Sequence, residues 1–342
     1  MTSDRLNEIL ARFSQVGVAV VGDFFLDKYL VLDPALTEIS LETEREAYQV
    51  VATRQSPGAA GTVCNNLVAL GAGRLYAVGL TGDDGFGYEL RQGLGAQGVS
   101  LHYLTRVADF ATPTYMKPME LQPDGPERET NRLDVKNRHP LNPAAEAVMV
   151  AGLWGVAERV DGLLISDQVQ ERDCGAVTER LREDLRLLAL AHPELLALVD
   201  SRVRIGEFQG VSLKPNRAEA QAALGAGDDQ SDEDLGRALS QRAGRPVFLT
   251  RGAEGMLMCT SEKAVAVPAP PVDGPLDIVG AGDSASAGLI LSLCAGASAV
   301  EAAVVANLVA SITVQQLGTT GTASPEQVRR RFLEHADLYA EF

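Results

Sequence analysis

Long uninterrupted hydrophobic runs are missing from this chain. The most lipid-like stretch, 285–314, is broken by Glu301, Asn307 and several serines and glycines, which describes buried core helices rather than a membrane span. Basic charge is also scarce: 30 Lys and Arg against 46 Asp and Glu give a formal net charge of −16. Nucleic acid and an anionic membrane surface are therefore disfavoured as partners, because both draw on clustered cations. A small anionic substrate is not excluded, since a few well-placed cations decide that. Cysteine occurs four times, at Cys64, Cys174, Cys259 and Cys294, without the paired spacing of a zinc site or a disulfide framework, so these are expected to be core thiols. The four histidines, His102, His139, His192 and His335, are isolated and read as surface or packing residues. The first twelve residues carry Leu6, Ile9 and Leu10 in a helical pattern that continues to Phe13, unlike the apolar core of a secretory signal. A cytoplasmic location is the resulting expectation.

What is present is an ordinary globular composition, 46% apolar and 22% charged over 342 residues. Length alone allows two domains, but the order of elements points to one α/β domain spanning 1–342. Short apolar runs at 18–21, 75–78, 163–166, 195–200, 211–213 and 247–250 have the character of buried parallel strands. Helical patterns lie between several of them, one opened by Asn142-Pro143 and one capped by Ser231 and ending near Gly244. Strand alternating with helix predicts a mainly parallel central sheet covered on both faces. Two segments, about 29–56 and 111–134, interrupt that rhythm with β-branched and aromatic residues interleaved with polar ones, as in 46–53. They are expected to form a small projecting β lid, with a turn at Pro123-Asp124-Gly125-Pro126.

The chemistry concentrates in Gly280-Ala281-Gly282-Asp283, just before a long small-residue apolar stretch. Glycines let backbone amides close on an anion, a following helix adds its positive end, and the aspartate sets a base beside it. Phosphoryl transfer needs that set of groups. Asp23 and Asp27 follow the first strand, where α/β proteins bind ligands, and can accept hydrogen bonds from sugar hydroxyls. Pro57-Gly58-Ala59-Ala60-Gly61-Thr62 precedes a helix and lets a ligand approach the backbone, as would a plain tight turn. Asn216 and Glu219 stand three residues apart at a strand-to-helix junction; they suit either a hydrated magnesium ion or a helix cap. Thr250, Gly252 and Gly255 lie in a turn that borders a nucleotide or closes a hairpin, and Asp277 is placed to accept from the anion loop or to help fix a cation.

In order along the chain, these motifs, with Thr81-Gly82-Asp83-Asp84, resemble the ribokinase, or phosphofructokinase-B, family of carbohydrate kinases over nearly its whole length. Val20-Val21-Gly22-Asp23, Leu26-Asp27-Lys28-Tyr29, Glu38-Ile39-Ser40, Arg132-Leu133-Asp134 and Gln316-Leu317-Gly318-Thr319-Thr320 are most similar to bacterial heptose-phosphate kinase domains. The resemblance implies a ribokinase-like fold whose lid often forms a homodimer. It makes Asp283 the base, Gly280, Ala281 and Gly282 the anion hole, and Asp27 a sugar ligand. Asn216 and Glu219 would hold Mg²⁺ through water, Thr250, Gly252, Gly255 and Asn307 would lie on the ATP side, and Asp277 with the loop around Gly318 would border an optional K⁺ site. Gly58 and Ala59 take the place of the usual glycine pair, Thr62 replaces the frequent asparagine, and Ile278 stands where threonine is common. Lys117 is kept where the heptose-phosphate pattern also has an arginine, here Met119. Lys117 and Arg132 are the cations expected to reach a phosphate on the acceptor. The chain stops soon after the kinase-like region, so a fused nucleotidyltransferase is not expected.

The expected activity is ATP-dependent phosphoryl transfer to a hydroxyl of a sugar or sugar phosphate, with a heptose phosphate favoured. The rivals are a kinase for another sugar or a nucleoside, a non-catalytic sugar or nucleotide sensor on the same fold, and a dinucleotide-dependent oxidoreductase. The last requires GxGxxG after an early strand, which Val21-Gly22-Asp23-Phe24 does not supply.

Overall fold

Val18 and Val20 pack into one hydrophobic layer and Ala19 and Val21 into another, and all four are fully buried. Successive side chains of a strand point to opposite faces, so an unbroken apolar run is what a sheet covered on both sides requires. The computed structural model describes every residue except Asp124, Pro126 and Thr319; the expected turn at 123–126 therefore lies partly outside the described residues.

Helix α1 (Ser3–Arg12) leads into β1 (Gly17–Gly22), β2 (Phe24–Leu32), the short β3 (Glu38–Ile39) and β4 (Glu46–Ala47), and β5 (Val50–Ala59). Next come α2 (Ala60–Ala69), β6 (Arg74–Gly82), α3 (Gly85–Ala96), β7 (Ser100–Val107), β8 (Thr114–Glu120), β9 (Arg128–Glu129) and β10 (Leu133–Val135). The chain continues through α4 (Pro143–Ala157), β11 (Gly162–Asp167), α5 (Glu179–Ala191), β12 (Leu196–Ser201), β13 (Ser212–Leu213), α6 (Arg217–Leu224) and α7 (Asp232–Ala243). It ends with β14 (Val247–Thr250), β15 (Met256–Cys259), β16 (Ala264–Val267), α8 (Ala281–Cys294), α9 (Ala299–Thr313) and α10 (Pro325–Glu334).

The main sheet has nine strands in the order β16-β15-β14-β13-β12-β11-β1-β6-β7. Pairing is parallel from β7 to β14 and antiparallel only at β15 and β16. From β1 the chain first builds outward through β6 and β7, then returns to β11 on the other side. This reversal opens a crevice at the carboxyl ends of the strands, where α/β folds bind ligands. Helices α1, α2, α8 and α9 cover one face and α4, α5, α6 and α7 the other. The stretch 285–314 is two helices, α8 and α9, both largely buried. They approach closely, because a Cβ added at Gly288 would lie 3.1 Å from Ala306 Cα. Among the described residues, no helix is long and apolar enough to cross a membrane. Cys64, Cys174 and Cys259 are buried free thiols and Cys294 is half-buried.

A second sheet, β10-β8-β2-β5 with β9 beside β8, draws on both interrupting segments, while β3 and β4 pair with each other in a separate two-stranded antiparallel ribbon. β2 runs antiparallel to β5 but parallel to β8. The stretch 46–53 is not one half-exposed strand as its alternation suggests. It breaks at Tyr48-Gln49, and 50–54 are exposed on both faces. Alternation there does not mark a buried side, because no layer covers either face of the outer half of β5.

Candidate active site

Helix α8 starts without a side-chain cap. Its N-cap, Gly280, sits at φ 80°, ψ 0°, and an added Cβ would lie 3.2 Å from Thr320 Cγ2 and 3.5 Å from Thr62 Cγ2. Glycine is thus required both for the left-handed turn and for the close approach. With no cap, the first-turn amides of Ala281–Asp283 keep their positive end toward the crevice, apart from the Ala281 amide that donates to the Ile278 carbonyl. Asp283 falls in this first turn.

Around it lies a cavity of about 490 Å³, lined by Gly280, Gly282, Asp283, Asn216, Glu219, Thr250, Ile278 and Val279 together with Gln168, Asp200, Arg202 and Lys214. The last four come from the tips of β11, β12 and β13 and were not singled out as site residues from the sequence. Asp200 ends an apolar strand run, and Lys214 opens the Lys-Pro-Asn stretch after the next strand; the strand-tip logic applied to Asp23 would have found both. Lys214 is buried, its Nζ 3.0 Å from Asp200 Oδ2. Burial pulls its proton affinity down, but Asp200, helped by Glu219 and Asp283, offsets this, and the ammonium is held above its ordinary range. A Cβ on Gly282 would lie 3.6 Å from that ammonium, so the lysine faces the loop. Ser286 donates to Asp200 Oδ2 at 3.0 Å and ties α8 to the pair. Burial first, and then the Asp200 carboxylate, push Asp283 up to about 7, with Lys214 and Arg202 acting in the opposite direction. A carboxylate near neutrality beside a row of amides is suited to general base chemistry.

Asn216 and Glu219 both face this cavity, but as a capping box of α6. Glu219 N–H donates to Asn216 Oδ1 at 2.9 Å, and Asn216 N–H donates to Glu219 Oε2 at 2.8 Å. The helix-cap alternative is therefore realised, without withdrawing the remaining carboxylate oxygen from the cavity. Burial raises the proton affinity of Glu219. Among the described residues there is no cluster of three or more metal-ligating side chains. One carboxylate and one amide fit an ion that keeps most of its own waters, the usual manner of magnesium, and not a dehydrated metal cage.

A second cavity of about 340 Å³ adjoins the first through Thr250, Ile278 and Gly282. Its walls are mostly apolar and include Gly252, Gly255, Met256, Pro270, Ala281, Leu276 and Val314. Thr250 to Gly255 link β14 to its antiparallel neighbour β15, so the hairpin alternative also holds, with Gly252 and Gly255 at positive φ. Asn307 reaches the same cavity, where its amide donates to the Val267 and Pro268 carbonyls at 2.9 and 3.2 Å. Together the cavities offer a polar compartment for phosphates and an apolar one for a flat base. Asp277 lies outside both: its carboxylate accepts from Val279 N–H at 3.1 Å and Gly318 N–H at 3.0 Å, clamping two loops.

The lid residues gather separately. Asp27 lies in β2, within the second sheet. Its carboxylate is 3.5 Å from Lys117 Nζ, which also stands 4.9 Å over the Tyr29 ring. Burial raises the Asp27 proton affinity against the pull of Lys117. Gly58 has no room for a side chain, since a Cβ would fall 2.5 Å from Asp27 Oδ2. Ala59 occupies φ 51°, ψ −118° at the start of α2, a conformation natural to glycine and strained for alanine. Thr62 is buried beside Gly280 and connects the lid side to the anion loop. Arg132 pairs with Asp134 at 2.6 Å and stacks on Tyr115, its guanidinium carbon 4.1 Å from the ring centroid.

Asp23 departs from expectation. Its carboxylate accepts from the amides of Gln168, Val169 and Ala176 at 2.8, 2.9 and 2.7 Å. It joins β1 to the chain after β11, and the three hydrogen bonds it accepts among the described residues all come from backbone amides.

This architecture matches ribokinase-like sugar kinases. Phosphofructokinase-2 from Escherichia coli, solved in complex with fructose-6-phosphate, superposes with a TM-score of 0.68 at 19% identity, covering 94% of this chain and 99% of that one. Arabidopsis thaliana ribokinase complexed with ribose and ATP gives 0.64 at 19% identity, with 92% and 98% covered. At the sequence level, the family model for pfkB family carbohydrate kinases matches residues 209–327. The bifunctional protein HldE of Pelobacter propionicus is 30% identical over 98% of this chain and 67% of its own length. The chain spans about two thirds of the length of the curated relatives it matches. The chain belongs to the PfkB family of carbohydrate kinases.

Proposed function

We propose that the protein transfers the terminal phosphoryl group of ATP to a hydroxyl of a sugar phosphate, with a heptose phosphate as the favoured acceptor. The observation that carries this reading is Asp283, poised near neutrality on the first turn of α8 beside the uncapped amides of the 280–282 loop. The acceptor O–H gives its proton to the Asp283 carboxylate as its oxygen bonds to the terminal phosphorus. The bond from that phosphorus to the bridging oxygen breaks, and the electron pair stays on the ADP leaving group. The loop of Gly280, Ala281 and Gly282, with Lys214, would face the charge that develops on the phosphoryl oxygens; the Ala281 amide, which donates to the Ile278 carbonyl, holds the turn, and the glycine amides would be the donors. Asn216 and Glu219 would hold the waters of a divalent ion, Mg²⁺ in this proposal, which when bound neutralises phosphate charge. The adenine would lie in the apolar cavity near Gly252, Gly255 and Asn307.

On the acceptor side, Asp27 would orient sugar hydroxyls, with Gly58, Ala59 and Thr62 forming the backbone wall. Lys117, set on the lid beside Asp27, would turn toward a phosphate already on the sugar, and Arg132 would flank it. Among relatives, the similarity to HldE supports the heptose preference. Ile39, Leu41, Tyr48, Val50 and Val51 are exposed on or beside the lid, which supports a homodimer through this sheet. An optional K⁺ would sit near Asp277, sharing the oxygens that now clamp Val279 and Gly318. The proposed location is the cytoplasm.

The test is ATP turnover across a panel containing heptose 7-phosphate, fructose 6-phosphate, ribose and inosine. The proposal expects the highest kcat/KM with a phosphorylated sugar, the heptose leading. A preference for an unphosphorylated sugar or a nucleoside refutes the acceptor assignment, and no ATP turnover with any of them refutes the kinase assignment for this chain.

A further inference from the structure

Arg202 and Arg204 stand two residues apart after β12, and their environments differ completely. Arg204 is buried and locked, with Nη2 2.7 Å from Asp167 Oδ1 and Nη1 donating to the Gln170 carbonyl at 3.1 Å. Arg202 is exposed, lines the 490 Å³ cavity with Gly280, Gly282 and Asp283, and has no carboxylate within ion-pair distance among the described residues. Among the described residues its side chain makes one long hydrogen bond, Nε donating to Gln168 Oε1 at 3.4 Å. Its backbone is fixed, because Arg202 N–H donates to the Asp167 carbonyl at 3.0 Å. A flexible guanidinium is thus anchored at the rim of the cavity with nearly all its donors unused.

The other cations near the site are committed. Lys214 is paired with Asp200, Lys117 with Asp27, and Arg132 with Asp134. Meanwhile the cavity itself holds the carboxylates of Asp200, Glu219 and Asp283. A nucleotide triphosphate entering this cavity brings several further negative charges, and the uncommitted cation among the described lining residues is Arg202. Its positive charge opposes the rise that burial imposes on the proton affinities of Asp283 and Glu219, two carboxyl groups lining the same cavity. It therefore lines the same cavity as the anion loop and Asp283, where the terminal phosphate of a donor would lie.

We propose that Arg202 grips the terminal phosphate of the donor nucleotide with its free guanidinium fork. This rests on the kinase reading but not on the identity of the sugar. Guanidinium matches two phosphate oxygens at once and keeps its charge at any working pH. The grip distinguishes a triphosphate from a diphosphate, because the α- and β-phosphates are left to other groups.

Titration calorimetry without any sugar tests it, comparing the parent with Arg202→Gln for binding of the nonhydrolysable analogue AMPPNP and of ADP, both with magnesium. Losing a charge-assisted, bidentate contact should weaken AMPPNP about tenfold and change ADP by less than about twofold. Arg202→Lys should recover part of the AMPPNP affinity, since it restores charge without the fork. Equal losses for the two nucleotides, or no loss for either, overturn the proposal. The exposed position makes misfolding of the variants easy to exclude by an unchanged unfolding temperature. A parent protein that binds neither nucleotide overturns the kinase reading and this inference with it.

Discussion

The floor of the crevice and the lid above it are built on different terms. On the floor, the groups proposed to meet phosphate are set by interlocking contacts: Gly280 in a left-handed turn that suits glycine, Lys214 held by Asp200, and Ser286 tying that pair to α8. On the lid, the groups proposed for the acceptor side neutralise one another, Lys117 with Asp27 and Arg132 with Asp134, on a sheet whose strand β5 is exposed on both faces over 50–54. Of the departures from the family pattern, Ala59, Thr62 and Met119 lie on or beside the lid side, and Ile278 lies in the wall of the floor cavity without touching the base. Under the proposed function, the difference would leave chemistry fixed by the main domain and acceptor choice set by weaker, re-pairable contacts above it.

The largest effect separating the two regions is expected at Asp283. Asp283→Asn should lower kcat by on the order of 10²–10⁴ while leaving nucleotide affinity nearly intact, measured by steady-state kinetics and calorimetry. The same variant should be more stable than the parent at pH 8. The parent carboxylate has a folded proton affinity above its unfolded one, so its ionisation costs stability increasingly as pH rises from the ordinary aspartate range to about 7. The gain should vanish in acid, and thermal melts across pH read it directly. A floor variant with near-parental kcat would erase the division proposed between the regions.

A smaller, differently shaped effect is expected on the lid. Lys117→Ala should raise the acceptor KM by about tenfold and leave ATP KM within about twofold, because the lost contact is to the acceptor in ground and transition states alike. The loss should shrink at high salt, where a partly exposed charge is screened. Equal effects on both substrates would place Lys117 with the floor instead.

The smallest expected effect is on stability alone. Ala59→Gly should raise unfolding free energy by about 1 kcal/mol, the relief of a strained backbone less the entropy that glycine adds to the unfolded chain. Denaturant titration decides it; a loss of stability would mean that the alanine side chain contributes more packing than its backbone costs.

Much of this division was legible in the sequence. The strand tips and the anion loop follow from apolar runs ended by small or acidic residues, patterns that a two-sided parallel sheet imposes regardless of detail. Asp200 and Lys214 are legible by the same rule, Asp200 ending an apolar strand run and Lys214 following the next one. Asp23 shows the limit of that rule, since a carboxylate at a strand tip serves a neighbouring backbone as readily as a ligand. Asn216 and Glu219 had two readings at one spacing, and only coordinates show the reciprocal cap. The pairing of Lys117 with Asp27 joins strands distant in sequence and has no local signature, nor has the contrast between Arg202 and Arg204, two like residues separated only by their burial.

The central claim is that the crevice floor holds Asp283 ready to take a proton near neutral pH, and the pH dependence of kcat/KM for the acceptor tests it most directly. Since Asp283 must be ionised to act, the account predicts a rise of about tenfold per pH unit on the acidic side that levels off near pH 7, where burial and Asp200 place the group. A profile that is flat from about pH 5.5 to 8 would contradict it.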